Sequence, residues 1–134
     1  MATIETVYLG NLRTEARHTQ SGNKLITDAP LDNNGRGEAF SPTDLLAASL
    51  GSCMLTIMGI ASKTHAINFE EASCSITKIM ASAPRRVSEI HVEITLSTTF
   101  TEKERAILEH AAKTCPVFYS LHPDIKKLIT FKYS

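Results

Sequence analysis

The 134-residue chain has no tryptophan, only three tyrosines and five phenylalanines, and no excess of either charge, with 14 lysines and arginines against 14 aspartates and glutamates. Without a basic surplus there is no electrostatic footprint for nucleic acid, and no arginine-lysine run marks a lipid surface, so neither partner is expected. Cysteine is scarce too. Three of them, an odd number, suit a reducing compartment better than a disulfide scaffold. None stands at zinc-ligand spacing: of the five histidines, only His110 falls within five residues of a cysteine, Cys115. No metal site is expected. The chain also lacks a glycine-rich phosphate loop and a Gly-x-Ser-x-Gly elbow. Its first residues, Met1-Ala2-Thr3-Ile4-Glu5, form no basic leader followed by an apolar segment, which points to the cytoplasm over secretion. With so few aromatic residues, the core must come from Leu, Ile, Val, Ala and Met, a composition that favours large shared interfaces.

What is present is the profile of a folded soluble protein, 43% hydrophobic and 21% charged. At this length one domain, residues 1–134, can bury roughly two-thirds of its unfolded surface. No internal repeat or linker divides it. The first forty residues read as strands and turns: Ile4 to Leu9, a turn at Gly10-Asn11, a returning strand from Leu12 to Thr19, a turn at Ser21-Gly22-Asn23, and a short strand Lys24 to Thr27 ended by Asp28-Ala29-Pro30. Asp32 to Gly37 reads as a flexible loop.

The pattern then changes. Ser41 can cap a helix, Pro42 suits its first position, and Asp44 is placed to bond back. One helix is expected from there to about Thr64, with Asp44 and Lys63 its only charges and apolar residues on all sides of the wheel, as for a helix buried nearly all round. Leu45 to Ser62 is an uncharged run of membrane-spanning length. Ser49, Gly51, Ser52, Thr56, Gly59 and Ser62 dilute it, and no aromatic or basic belt flanks it, so a core helix packed against a second copy of the chain is the preferred reading. Farther on, Ala72 to Met80 and Val87 to Phe100 alternate as a long antiparallel hairpin, with Ile90, Val92, Ile94 and Leu96 on one side. Thr101 and Glu104 match a capping box for a helix that Pro116 stops, and Leu128 to Tyr133 is the last strand.

Two cysteines sit where a thiol can be tuned. Cys53 lies mid-helix and, buried among apolar residues, stays inert unless a cation or hydrogen-bond donors favour its thiolate. Cys115 precedes Pro116 as an N-cap precedes a first helical residue, at the positive end of a short turn. A paired redox site is the sharp reading, while packing as small hydrophobes is the commoner fate of free cysteines. Cys74 fits strand alternation and reads as packing.

The stretch Gly37-Glu38-Ala39-Phe40-Ser41-Pro42-Thr43-Asp44-Leu45-Leu46-Ala47-Ala48-Ser49-Leu50-Gly51-Ser52-Cys53, followed 62 residues later by Cys115-Pro116-Val117, resembles the OsmC/Ohr family of thiol-dependent hydroperoxide reductases. The resemblance implies an α+β fold with antiparallel sheets wrapped around central helices in an intertwined homodimer. It also implies that Cys53 attacks the peroxide and becomes a sulfenic acid, and that Cys115 condenses with it to a disulfide. No bound cofactor is implied; an external dithiol, often lipoyl-based or carried on a lipoylated protein, reopens the disulfide. An arginine held by a glutamate completes the family's site. Arg13 is the best positional match, with Arg17 and Arg36 as rivals, and its guanidinium would favour the Cys53 thiolate.

The sequence departs from the family where the glutamate usually follows the helix-opening proline, since Thr43 stands there. Glu38 and Asp44 are the candidate substitutes, with a helix cap the plainer role for Asp44. The resulting expectation is an organic-hydroperoxide reductase, with small apolar substrates suggested by the absence of charge around Cys53. The alternatives are a non-turnover thiol sensor or small apolar ligand-binding protein, and a non-catalytic dimer in which the cysteines only pack.

Overall fold

A computed structural model describes residues 1–134. Along the chain run β1 (Ile4–Gly10), β2 (Arg13–His18), β3 (Lys24–Asp28), a 3-10 turn (Leu31–Asn33), α1 (Pro42–Thr64), β4 (Ser73–Ala81), β5 (Arg86–Leu96), α2 (Glu102–Ala112), α3 (Pro116–Ser120) and β6 (Lys126–Tyr133). Runs of strands separated by helices in two three-stranded sheets make this an α+β fold. The residues form two units, Met1–Leu46 and Ala47–Ser134.

In the first unit, β1, β2 and β3 make an antiparallel meander. Asn11 and Leu12 close the first hairpin, both with positive φ (53° and 63°), the geometry that matches the right-handed twist of the flanking strands. In the segment read as a loop, Asn33 and Gly35 both donate their N–H to the Pro30 carbonyl, and Gly37 donates to that of Ala29. This unit has no hydrophobic core of its own, because every buried apolar residue of the chain lies at position 47 or beyond. Val7, Tyr8, Leu25 and Ile26 are all exposed. Strand neighbours point to opposite faces, so both faces of the sheet carry uncovered apolar side chains.

The second unit is built on α1. Ala47, Leu50, Gly51, Met54, Met58 and Ser62 are its buried residues, a stripe at helical spacing. Ala47, Leu50, Met54 and Met58 join one cluster with Ile90, Val92, Ile94 and Leu96 of β5 and Leu108, Ala111 and Ala112 of α2. Within the single chain α1 is covered on one side: Leu46 and Ile60 are exposed, and Cys53, Leu55, Ile57 and Ala61 only partly covered. One sheet and one neighbouring helix can cover only one side of a 23-residue rod. By length and composition α1 is also apolar enough to cross a membrane, a property shared by core helices of soluble proteins.

The second sheet has the order β4-β5-β6, with β4 and β5 antiparallel but β5 and β6 parallel. The expected all-antiparallel arrangement is therefore wrong for this sheet. The connection from β5 through α2 and α3 is a crossover, long enough to return the chain in the same direction. β5 ends at Leu96, short of Phe100, where the Ser97 hydroxyl accepts the Thr99 N–H at 3.2 Å and offers the backbone an alternative to the ladder. α2 opens with the capping box of Thr101 and Glu104. The Tyr133 hydroxyl donates to Glu109 on α2, and the Arg105 guanidinium lies 3.9 Å over the Tyr133 ring, which ties β6 to α2.

Gly51 is where α1 meets β4. A Cβ there would collide with Ile76 Cδ1 and come within 3.0 Å of Ile76 Cγ1 and Cys74 Sγ. Alanine gains about 0.5–1 kcal/mol of helix preference over glycine, but overpacking a filled core costs about 1–3 kcal/mol. Gly51→Ala should therefore lower stability in denaturant titration, and a more stable variant would mean that α1 and β4 can separate freely. A second expectation concerns alkaline pH. Burial and the neighbouring Glu109 push the Tyr133 phenol up from 10 to about 12. The folded state favours the protonated phenol, so its contribution is complete below pH 10 and is lost as pH rises to about 12. Tyr133→Phe should lose less stability than the wild-type protein across that interval.

Candidate functional site

Cys53 and Cys115 meet in the second unit, although 62 residues separate them in sequence. Cys53 is half-buried on α1, one position from Met54 of the buried stripe. Cys115 is completely buried and is the N-cap of α3, its Sγ accepting the Phe118 N–H at 3.3 Å. Proline at the first helical position needs no partner for a missing N–H, so a side chain with one soft acceptor is enough to start the turn. Both sulfurs are free thiols, and Cys53 is near enough to act on the Cys115 thiol.

The environment treats Cys115 as a thiol. Burial pushes its pKa up, N–H groups of Phe118 and Val117 pull it down, and the hydrogen bond and charge of Cys53 push it up again, with a net rise. Cys74 lies apart, its sulfur against Gly51 on the packed side of α1, with its pKa raised by burial alone. It serves as packing.

Arg13 lies in the first unit, held by a carboxylate that sequence reasoning missed. It pairs across the β2–β3 ladder with Asp28, where its Nε donates to Oδ1 at 2.7 Å and its Nη2 to Oδ2 at 2.9 Å. Asp28 is 1% exposed and also accepts the Glu38 N–H at 3.2 Å. The hydrogen bonds with Arg13 hold the Asp28 carboxyl below its ordinary value against the opposing effect of burial, with further help from the Arg13 charge, the Glu38 N–H and the Arg36 charge. The same hydrogen bond raises the pKa of Arg13. A signal existed in the sequence: folding the hairpin about Thr19 to Asn23 aligns position 13 with position 28. Ending the third strand at Thr27 hid it.

The remaining candidates have other partners. Glu38 reaches Arg13 Nη2 at 3.6 Å with its own side chain 64% exposed. Asp44 Oδ2 accepts the Ser41 N–H at 3.0 Å while the Ser41 hydroxyl accepts the Asp44 N–H at 3.0 Å, a reciprocal cap. Arg17 pairs with the exposed Glu5 at 3.0 Å. No three His, Cys, Asp or Glu side chains converge as a metal site would require.

A family model described as OsmC-like protein matches residues 35–127. A Psychrobacter arcticus protein, provisionally described as an osmotic stress induced and detoxification response protein, is 51% identical, with a TM-score of 0.93 over 98% of this chain and 96% of that one. An organic hydroperoxide resistance protein OsmC from Legionella pneumophila superposes with a TM-score of 0.77 at 18% identity over 98% of both chains. One from Elizabethkingia anophelis does so with 0.78 at 15% identity, over 100% of this chain and 98% of that one. At those identities the last two show the shared fold. No curated protein matches the sequence.

The contrast between the paired thiols is testable by alkylation. Iodoacetamide near pH 7 should modify the partly exposed Cys53 first and reach Cys115 only after denaturant is added, as peptide mass spectrometry would report. Equal labelling in the native protein would contradict the buried, protonated state of Cys115.

Proposed function

Because this chain belongs to the OsmC-like family, we propose that it reduces organic hydroperoxides, with Cys53 and Cys115 as its redox pair. The observation that carries the reading is that the two free thiols lie close enough to interact, Cys53 half-buried on α1 and Cys115 buried at the N-cap of α3 with its pKa raised. In the first step the Cys53 thiolate attacks the distal peroxide oxygen and the O–O bond breaks. Cys53 becomes a sulfenic acid, and the alkoxide leaves and takes a proton to become an alcohol. In the second step the Cys115 sulfur attacks the sulfenic sulfur, the S–O bond breaks, and the Cys115 proton goes with hydroxide as water. An external dithiol then reduces the Cys53–Cys115 disulfide and is itself oxidised to a disulfide. Arg13 is the cation assigned to favour the thiolate.

The names of the Legionella and Elizabethkingia proteins support this substrate class. The family match crosses the boundary between the two units and supports one OsmC-like domain over residues 1–134. A homodimer accounts for the uncovered apolar side chains on both faces of the first sheet and on α1, since patches of that kind mark interaction surfaces. A cytoplasmic setting suits three free thiols that must return to the reduced state.

One equivalent of cumene hydroperoxide added to reduced protein should give a Cys53–Cys115 disulfide by mass spectrometry. The disulfide should be absent from Cys53→Ser and Cys115→Ser, with sulfenic acid trapped at Cys53 in the latter. A dithiol should then sustain turnover. Disulfide formation without turnover would assign a thiol sensor instead, and unmodified thiols would remove both.

A further inference from the structure

We propose that the reductant attacks the Cys53 sulfur of the Cys53–Cys115 disulfide, so that the mixed disulfide forms at Cys53 and Cys115 is the sulfur that leaves. This rests on the hydroperoxide-reductase reading and concerns the half of the cycle that restores the thiols. An incoming thiolate must reach one sulfur in line with the bond it breaks, so access decides between the two. Cys115 is 0% exposed and belongs to the buried cluster that holds Leu108, Ala111, Ala112 and Leu121. Its sulfur faces the start of α3, where it accepts the Phe118 N–H at 3.3 Å. Cys53 is half-buried on α1, between the exposed Ser52 and the buried Met54, and packs against that cluster from outside. A disulfide built between these positions presents its Cys53 sulfur to solvent.

In the first step one thiolate of the dithiol bonds to Cys53 Sγ, the Cys53–Cys115 bond breaks, and its electron pair goes to Cys115, which takes up a proton. Burial opposes charge on that departing sulfur, and the Phe118 N–H, already aimed at it, offsets part of the opposition. In the second step the other thiolate of the reductant attacks the reductant's own sulfur in the mixed disulfide, and Cys53 leaves with the electron pair as a thiolate. The reductant ends as a disulfide, oxidised by two electrons, and both cysteines are reduced. Throughout, Cys115 stays beside the mixed disulfide. Its thiol can attack Cys53 again, which expels the reductant and restores the starting disulfide. A monothiol has no tethered sulfur to compete with that reversal, whereas the second thiol of a dithiol acts at a high effective concentration. Cys53 is thus the single point of entry for peroxide and reductant, and the two exclude each other.

The test starts from protein oxidised with cumene hydroperoxide and adds β-mercaptoethanol over a range of concentrations. After an acid quench and alkylation with N-ethylmaleimide, peptide mass spectrometry should place the mercaptoethanol on Cys53 and the maleimide on Cys115. Mercaptoethanol on Cys115, or on both alike, would overturn the proposal while leaving the reductase reading in place. Where no adduct accumulates, the single variants decide. Hydroxyethyl disulfide should load Cys53 in Cys115→Ser at least about tenfold faster than it loads Cys115 in Cys53→Ser, because a core sulfur reacts only through local opening. Similar rates, or the opposite order, would overturn the proposal. If cumene hydroperoxide leaves both thiols unmodified, the reductase reading fails, and a disulfide made with diamide still shows which sulfur the thiol attacks. A protein in which diamide also fails to join the two sulfurs would overturn both.

Discussion

The packing of α1 against the second sheet is the constraint on which the remaining arrangement depends. Its buried stripe meets β5 through Ile90, Val92, Ile94 and Leu96, and Gly51 lets the helix backbone approach β4 closely enough for Ile76 and Cys74 to fill the space of a missing Cβ. That contact fixes the rotation of α1 about its axis. Once Leu50, Met54 and Met58 point into the core, Cys53 must lie at the border of the stripe, one residue or about 100° away from Met54. The half-buried state of the thiol is a consequence of helix phase.

The second thiol owes its position to a break in regular structure. α2 ends at Ala112, and Pro116 starts a new turn whose N-cap is Cys115, so one residue satisfies an orphan N–H and meets Cys53. Serine or aspartate would cap more strongly. A sulfur in this place is a weaker cap, and the neighbouring thiol gives it a use that serine could not serve. Burial and the neighbouring Cys53 outweigh the two backbone N–H groups that favour a thiolate, so Cys115 is held as a thiol.

Most elements were legible because local signals agreed. Pro42 after Ser41, the Thr101 and Glu104 box, and the alternation of Ile90 through Leu96 each fix an element without help from the rest of the chain. The failures are non-local. Alternation says which residues share a face but not which strand lies alongside, so the parallel pairing of β5 with β6 was invisible. Composition says that α1 is apolar but not how much of it its own chain covers. The contact of Cys53 with Cys115 has no local signature either: each segment alone shows a tunable thiol, and the family resemblance adds the two roles. Asp28 lies between these cases, since its pairing with Arg13 follows from hairpin arithmetic once β3 is allowed one more residue.

Moving a carboxylate from the start of a helix to the end of a strand changes what it can do for an arginine. A helix-borne carboxylate inherits the rotation of α1, which the core packing dictates, and here Asp44 at that end is already bound to Ser41. On the strand, Asp28 and Arg13 are cross-strand neighbours, and the ladder sets their separation with no reference to the helix. The two-point ion pair also cancels much of the guanidinium's charge at long range. What survives is direction, the remaining N–H donors held at a fixed angle. Direction acts only over hydrogen-bond distance.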